Sequence, residues 1–184
     1  MRRAAGSSLP EYPLPGGYRF VLYADGDEAD WARIETSVLE FETEFKALMY
    51  FTQKFLPFRE ELRRRCIFIE DSAGVKIANT MAWWSVVGEE RRPWLHWVAV
   101  VPGHQGLGLG KAIVSRAVSL MKELEGDCDY YLSTQTWSHK AIEIYKLHGF
   151  EPTSEKILYK SKGDNYKKAL RILRRIAIQL ASLG

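Results

Sequence analysis

The spacing of hydrophobic and polar positions predicts a chain of strands and amphipathic helices. Residues 66–70 and 75–87 are strand-length runs rich in β-branched and aromatic residues, and the turn sequence at 71–74 predicts that they form a hairpin. Residues 95–101 are a further apolar run, interrupted only by His96. After this run, apolar residues recur every three or four positions, which predicts a helix with one buried face. They are Leu109, Ile113, Ala117, Leu120 and Leu124.

The segments on either side of this region also predict strands and helices. Residues 18–23 predict a strand, a helix is expected to begin near Glu28, and residues 42–64 predict a second helical region that Pro57 breaks. Residues 130–136 predict a strand parallel to the run at 95–101, because a helix separates the two. A helix through Tyr145 is expected to end at Gly149, and residues 156–160 predict one more strand.

These elements divide the chain into three parts. Residues 1–17 are rich in Gly, Ser, Pro and Ala and are expected to form a flexible arm, while residues 18–162 form a single domain. Residues 163–184 predict a basic amphipathic helix. Because an apolar stripe usually requires burial, we expect this helix to pack on the domain or on a second copy as a homodimer. Contact with a membrane surface or a nucleic acid is the alternative.

Composition narrows the class of protein. A length of 184 residues suits one domain, and 46% hydrophobic with 27% charged residues are globular values. The net charge of +3, with both signs interspersed, favours no nucleic-acid partner, and no stretch has the roughly 20 apolar residues of a membrane span. Cys66 and Cys128 lack the spacing of a metal site or a disulfide framework. We therefore expect a cytoplasmic protein with reduced thiols and no metal.

A glycine-rich segment joins the run at 95–101 to the helix that follows. Residues 103–110 read GHQGLGLG, and their glycines permit positive φ and a close approach of the backbone to a ligand. Free amides in the first helical turn and the positive end of the helix dipole favour a bound phosphate. A simple glycine-rich turn is the alternative. The spacing fits neither a GxGxxG loop nor a P-loop, since Ala112 follows Gly110-Lys111.

Two motifs in this sequence resemble those of the GNAT superfamily of N-acetyltransferases. In that family a strand ending in aliphatic-x-Pro precedes Gln/Arg-x-x-Gly-x-Gly/Ala, and a later helix and turn read AIxLYxxxGF. The first motif is matched by Val98, Ala99, Val100, Val101, Pro102, Gln105, Gly108 and Gly110. The second is matched by Ala141, Ile142, Tyr145, Gly149 and Phe150. Two motifs in the family's order occur together by chance far less often than either alone.

The resemblance implies an α/β (α+β) GNAT fold, with a mixed, mainly antiparallel sheet flanked by helices. It further implies an enzyme that takes acetyl-CoA as cosubstrate and transfers the acetyl group directly to a primary amine, which we expect to be that of a small molecule. A peptide or protein N-acetyltransferase is one alternative, and a non-catalytic coenzyme A sensor or interaction module is another. Cys66 and Cys128 lie far from both motifs, so we expect no acyl-enzyme.

The resemblance also implies which residues hold the cofactor. We expect the diphosphate at the backbone of residues 105–111, and the pantetheine along residues 98–101, where the strand splays from its parallel neighbour. The amide of Val98 or Val100 would polarise the thioester carbonyl. Ser138 stands where many family members have Asn. The full predicted set is Val98, Val100, Val101, Gln105, Gly106, Leu107, Gly108, Leu109, Gly110, Lys111 and Ser138.

Tyr145 and His96 are the predicted catalytic residues. Tyr145 matches the tyrosine that protonates departing coenzyme A in many family members, and a phenol with a pKa of about 10 suits a thiol of about 8.5. A core aromatic is the alternative. His96 lies two residues before Val98, so strand alternation would put it on the same face, where its imidazole would act as base directly or through water. A packed polar residue is the alternative, and Glu89 and Glu90 are alternative bases.

Tryptophans and acidic residues border the expected acceptor site. Alternation sends some of the tryptophans into the core, and the rest would form an aromatic wall for an apolar or cationic acceptor. The predicted pocket residues are Trp83, Trp84, Trp97 and Trp137. Acidic residues of the first two helices would attract an ammonium group or simply form a solvated face. They are Glu35, Glu40, Glu42 and Glu44.

Overall fold

The computed structural model describes residues 1–135 and 138–153, and in them a seven-stranded sheet carries helices on both faces. The strands are β1 (Arg2–Arg3), β2 (Arg19–Leu22), β3 (Cys66–Glu70), β4 (Lys76–Val87), β5 (Glu90–Val100), β6 (Tyr130–Leu132) and β7 (Phe150–Glu151). The helices are α1 (Glu28–Ser37), α2 (Glu44–Lys54), α3 (Arg59–Arg65), α4 (Leu109–Glu125) and α5 (His139–Leu147).

The sheet order is β2-β3-β4-β5-β6-β1-β7. Every pair is antiparallel except β5 with β6, which α4 separates in sequence. A helical crossover is needed between parallel neighbours because the first strand ends and the next strand begins at opposite ends of the sheet. The mixed, mainly antiparallel sheet predicted from the sequence is thereby confirmed.

Two hydrophobic clusters lie on opposite faces of the sheet. The first cluster packs α4 and α5 against the sheet. It buries four residues of the predicted inner face of α4, while the fifth, Leu124, is only partly buried; the four are Leu109, Ile113, Ala117 and Leu120. The second cluster packs α1 and α2 against the other face, centred on the fully buried Trp31 and Phe51. The predicted break at Pro57 is also confirmed, because a 3₁₀ turn at Leu56–Phe58 separates α2 from α3.

The first residues form an interior strand of the sheet, which differs from the flexible arm expected for residues 1–17. In the register of β1, Arg2 is opposite Tyr131 of β6 and Arg3 is opposite Phe150 of β7. The Arg3 side chain is 1% exposed, and its Nε donates to the carbonyl of His148 at 3.0 Å. Composition indicated a loop, and a two-residue strand is too short to show an alternating pattern.

Helices and strands elsewhere match the predictions within a few residues. Strand β5 begins at Glu90, earlier than predicted, and β6 ends at Leu132, earlier than predicted. The predicted strand at 156–160 and the predicted helix at 163–184 lie outside the described residues. Within residues 1–135 and 138–153, no helix combines the length and apolar character needed to cross a membrane.

Candidate active site

Strands β5 and β6 separate part-way along the sheet. Their parallel pairing covers only Trp94 with Tyr131 and Leu95 with Leu132, while β5 continues to Val100. The part of β5 after Leu95 therefore has an open edge within the described residues. The resemblance to the family implied such a splay, and the pantetheine site along it stays a prediction.

A β-bulge at Trp97 sits at the start of this open edge. The pairing with β4 shifts here, since Asn79 is opposite Ala99 but Met81 is opposite His96, and Trp97 has a φ of 56°. Positive φ costs a non-glycine residue about 1–3 kcal/mol, so surrounding contacts must hold it. Asn79 supplies one of them, because its Nδ2 donates to the Trp97 carbonyl at 2.9 Å.

The bulge also changes which side chains share a face. His96 is opposite Met81, which belongs to the second cluster, whereas Val98 and Val100 pack against the first. The expectation that His96 shares a face with Val98 and Val100 is therefore wrong. Regular alternation does not survive an extra residue in a strand.

Backbone amides of β5 alternate between the neighbouring strand and the open edge. The Val101 amide donates to the carbonyl of Ile77 at 2.9 Å and is used within the sheet. Alternation then directs the amides of Val98 and Val100 to the open edge. The Val100 carbonyl accepts from Nε2 of Gln105 at 2.9 Å, which fixes the start of the glycine-rich loop against the strand.

The loop after Val101 presents a run of free amides. In the described part of the chain, no hydrogen bond is donated by the backbone N–H groups of residues 106–110. Gly106 and Gly108 have φ of 82° and 85°, and Gly108 is the N-cap of α4. A Cβ at either position would meet no atom within 4 Å. Of the predicted diphosphate stretch 105–111, the amides of Gln105 and Lys111 donate to the carbonyls of Pro102 and Gly108 at 3.3 and 3.1 Å. Residues 106–110 form an open, amide-lined turn at a helix N-terminus, which is a geometry suited to anion binding.

Gly110 lies where two helices approach closely, unlike Gly106 and Gly108, which lie in open space. A Cβ there would lie 3.1 Å from Cδ1 of Ile144, so the glycine lets α5 approach the first turn of α4. The neighbouring Lys111 places its Nζ 5.5 Å from the centroid of the Tyr12 ring. Ser138 is the N-cap residue of α5, although its side chain makes no capping hydrogen bond.

Tyr145 lies on α5 at the edge of the first cluster and is 7% exposed. Burial raises the pKa of its phenol above the usual range, and the charges of Glu35 and Glu40 raise it further. The side chain is therefore protonated at every physiological pH. It is a potential proton donor and not a base.

His96 is half-buried beside β4. Burial lowers the pKa of its imidazole to about 4, and its Nε2 is 3.2 Å from Oγ of Ser85. The ring is neutral at physiological pH, as a base must be, but the hydrogen bond to Ser85 already uses one nitrogen. Its role as base stays a prediction.

The predicted pocket tryptophans occupy two places. Trp97 packs against the helices of the second cluster, with ring centroids 5.6 Å from Phe41 and 5.3 Å from Tyr50. Trp83 is buried and stacks on Trp84 at 4.3 Å. Among these three tryptophans, Trp97 is the one that lies at the bulge. Trp137 lies outside the described residues.

Glu35 is the functional candidate that sequence reasoning underweighted. It was one of four acidic residues expected near the acceptor, yet it alone is buried, with a carboxyl that accepts from Nδ2 of Asn79 at 2.7 Å. Burial raises the pKa of this carboxyl to about 8, against the lowering effect of the Asn79 hydrogen bond and with a further increase from Glu40. Its position four residues after Trp31, on the apolar face of α1, was the signal.

No group of three or more His, Cys, Asp and Glu side chains that could hold a metal ion is found in residues 1–135 and 138–153. The described groups of the site are backbone amides, a phenol, a carboxyl group and aromatic rings. These groups suit acyl transfer from a thioester.

Comparison with protein families identifies the class of protein. The model of the acetyltransferase (GNAT) family matches residues 30–150, so the chain belongs to that family. The match includes α2, the separating strands β5 and β6, the glycine-rich loop and Tyr145. A comparison with curated proteins gives no significant match.

Solved structures with the same fold are similar at low sequence identity. A GCN5-related N-acetyltransferase from Sphaerobacter thermophilus has a TM-score of 0.56 and 16% identity, over 72% of this chain and 40% of that one. The acetyltransferase yncA of Salmonella typhimurium, solved with its cofactor acetyl-CoA, has a TM-score of 0.58 and 19% identity, over 80% and 88%. A mutant of the spermidine N-acetyltransferase SpeG from Vibrio cholerae has a TM-score of 0.56 and 16% identity, over 78% and 88%.

Acetyl-CoA is the cosubstrate that the family and its complexes support. The site fits this molecule in two respects that do not depend on the comparisons. The amides of residues 106–110 have no acceptor in the described structure, and the open edge of β5 begins next to them. A diphosphate and an extended pantetheine amide chain would satisfy both.

Proposed function

We propose that the protein transfers an acetyl group from acetyl-CoA directly to a primary amine. The acceptor proposed first is a small molecule. The observation that carries the proposal is the run of free amides at 106–110, placed at the end of a strand with an open edge. Family membership supports the same reaction class.

Each part of the site has a role in this reaction. The amides of residues 106–110 bind the diphosphate with the help of the α4 dipole. Bound acetyl-CoA supplies the acetyl group as a thioester. The amides of Val98 and Val100 lie on the open edge, where one of them polarises the thioester carbonyl. Tyr145, held protonated by burial, donates a proton to the leaving thiolate.

The surroundings of Trp97 support a small acceptor. Phe41, Tyr50 and Trp31 enclose its ring, with centroids between 5.2 and 5.6 Å away. An aromatic wall beside the acidic Glu35 favours an amine that carries a positive charge on an apolar body. The relative that acts on spermidine is an example of a family member with a small cationic acceptor.

A peptide or protein acceptor is the second candidate. Apolar side chains on the outer surface of α2 and the loop before it are exposed, among them Leu39, Phe45 and Met49, and Phe45 is 72% exposed. Such a surface suits an extended chain better than a small amine. A homodimer through residues 163–184 and a cytoplasmic location also stay predictions.

A binding and transfer experiment tests the proposal. Calorimetry should detect acetyl-CoA binding, and single-turnover assays should show transfer to at least one member of a panel of arylalkylamines, polyamines and peptides. Tyr145→Phe should bind acetyl-CoA with unchanged affinity but transfer about 100-fold more slowly. Tyr23→Phe, which removes a hydroxyl bonded to Glu28 outside the site, is the matched control and should keep the wild-type rate.

The outcomes separate the candidates. Transfer to peptides but not to small amines would favour the second candidate. Tight binding without transfer to any acceptor would support the non-catalytic coenzyme A sensor. An absence of binding would overturn the proposal entirely.

A further inference from the structure

Glu35 is a buried carboxyl group with no counter-cation among the described residues. Its side chain is 1% exposed, and no Lys or Arg in the described residues forms an ion pair with it. The Glu35 carboxyl group accepts a hydrogen bond from Nδ2 of Asn79 at 2.7 Å. Burying an ionised carboxylate without a cation is strongly unfavourable, so burial raises the pKa of this group to about 8 and keeps it protonated at neutral pH until a cation reaches it.

A single amide links this carboxyl group to the bulge. Nδ2 of Asn79 donates both to Glu35 and to the carbonyl of Trp97, the latter at 2.9 Å. The residue after Trp97 is Val98, whose amide faces the open edge of β5. The Glu35 carboxyl group is thus two hydrogen bonds away from the backbone that aims the thioester.

In the described part of the chain, buried polar atoms without hydrogen-bond partners occur on Asn79, which bonds Glu35, and on two neighbours of Glu35 along α1. Within the described residues, Oδ1 of Asn79, Nε1 of Trp31 and Oγ1 of Thr36 are buried and make no hydrogen bond. Trp31 lies one helical turn before Glu35, and Thr36 follows it directly. A buried polar atom without a partner is unfavourable, so the unpaired Oδ1 of Asn79, the residue that bonds Glu35, favours a polar ligand beside the carboxyl group.

The charges around Glu35 indicate which charge a bound ligand would carry. The groups that interact with it electrostatically are Glu40 in the loop after α1, Tyr145 on α5 and Cys66 on β3. Burial keeps the thiol of Cys66 protonated by raising its pKa, and the phenol of Tyr145 is protonated for the same reason. Among the described residues, the groups that act on Glu35 are therefore neutral or acidic, which favours a positively charged ligand.

We propose that Glu35 is the catalytic base, which binds the ammonium group of the acceptor beside the Trp97 bulge and takes its proton. The inference rests on the acetyl transfer proposed above. It assigns the base to α1 and leaves His96, which lies behind the bulge and bonds Ser85, as a packed polar residue.

The proton and electron balance of the step is complete. The ionised carboxyl group of Glu35 takes one proton from the ammonium group and leaves a neutral amine. The amine lone pair forms the C–N bond to the thioester carbonyl carbon, and the C–S bond then breaks. The thiolate takes the phenolic proton of Tyr145, and the second proton lost by the amine nitrogen restores that phenol. Glu35 finally returns its proton to solvent.

The pH dependence of kcat/KM tests the role of Glu35. In the wild type, kcat/KM should rise with pH to a plateau above about 8, where the carboxyl group is ionised. Glu35→Gln should lower kcat/KM about 100-fold and remove this rise, while Glu35→Asp should keep the rise at a reduced rate. Glu143→Gln, which removes an exposed carboxyl group of α5, is the control and should keep both rate and profile.

A calorimetric measurement gives a second readout that does not depend on turnover. With coenzyme A bound, a reactive amine from the panel is titrated at pH 7 in two buffers of different ionisation enthalpy. An ammonium group that binds ionised Glu35 should make the wild-type protein release close to one proton, and Glu35→Gln should release none. Thermal unfolding of each variant checks that it is folded.

The transfer assay distinguishes failure of this inference from failure of the proposed function. If the wild type transfers acetyl groups and Glu35→Gln keeps the rise in kcat/KM and the proton release, the inference is wrong while the function stands. If the wild type transfers to no amine, both are wrong.

Discussion

Replacing Glu35 with Gln is expected to stabilise the protein progressively as pH rises. The carboxyl group is buried, which raises its pKa from 4.5 to about 8, opposed by the Asn79 hydrogen bond and assisted by the charge of Glu40. In the unfolded chain the pKa is the ordinary one. Between these two values the folded protein retains a proton that the unfolded chain releases, so the unfolding free energy falls with rising pH.

The size of the effect follows from the two pKa values. Stability from this group is fully present below pH 4.5 and is lost as pH rises to about 8, at about 1.4 kcal/mol per pH unit. The total is on the order of 5 kcal/mol, which is a large part of the 5–15 kcal/mol that is typical of a folded domain. Glutamine has the same shape and can accept from Asn79, but it does not titrate.

Urea unfolding followed by tryptophan fluorescence measures this difference. We expect the wild type and Glu35→Gln to have similar unfolding free energies near pH 5 and to diverge up to pH 8, with equal m-values. The exposed Glu143→Gln should follow the wild type throughout. Parallel curves for the wild type and Glu35→Gln would show that the carboxyl group titrates normally, and the reasoning from burial would be refuted.

Three further substitutions test other contacts. Gly110→Ala should destabilise the protein by about 1–3 kcal/mol because its Cβ would lie 3.1 Å from Cδ1 of Ile144, and Ile144→Ala should rescue the double variant in a thermal melt. Arg3→Leu should cost about 1.5–3 kcal/mol in urea unfolding by removing the bond to the His148 carbonyl; an unchanged midpoint would show that β1 is not held by that side chain. His96→Gln should be more stable than the wild type at acid pH, because the folded imidazole, with its pKa lowered to about 4, loses stability as pH falls from 6.5. Chemical denaturation at pH 5 and 7 measures this, and an equal gain at both would contradict it.

The sequence by itself determined the elements that local patterns specify. The inner face of α4, the β3–β4 hairpin and the break at Pro57 each depend on residues close together in the chain, so periodicity and turn chemistry were enough. The glycine-rich loop was found in the same way, because positive φ and free amides at a helix start are local properties. Resemblance to a family then supplied the cofactor.

Tertiary structure decided the parts that depend on contacts between distant residues. Strand β1 exists because β6 and β7 leave a gap that Arg2–Arg3 fill, and two residues carry no period that a sequence can show. The bulge at Trp97 inverts the facing of His96 relative to Val98, and it is held by Asn79 from another strand. In the sequence, Glu35 cannot be distinguished from the other acidic helix residues. In the fold it is buried and accepts a hydrogen bond from the same asparagine. Burial and long-range hydrogen bonds set its pKa, and neither can be read from the residues next to it.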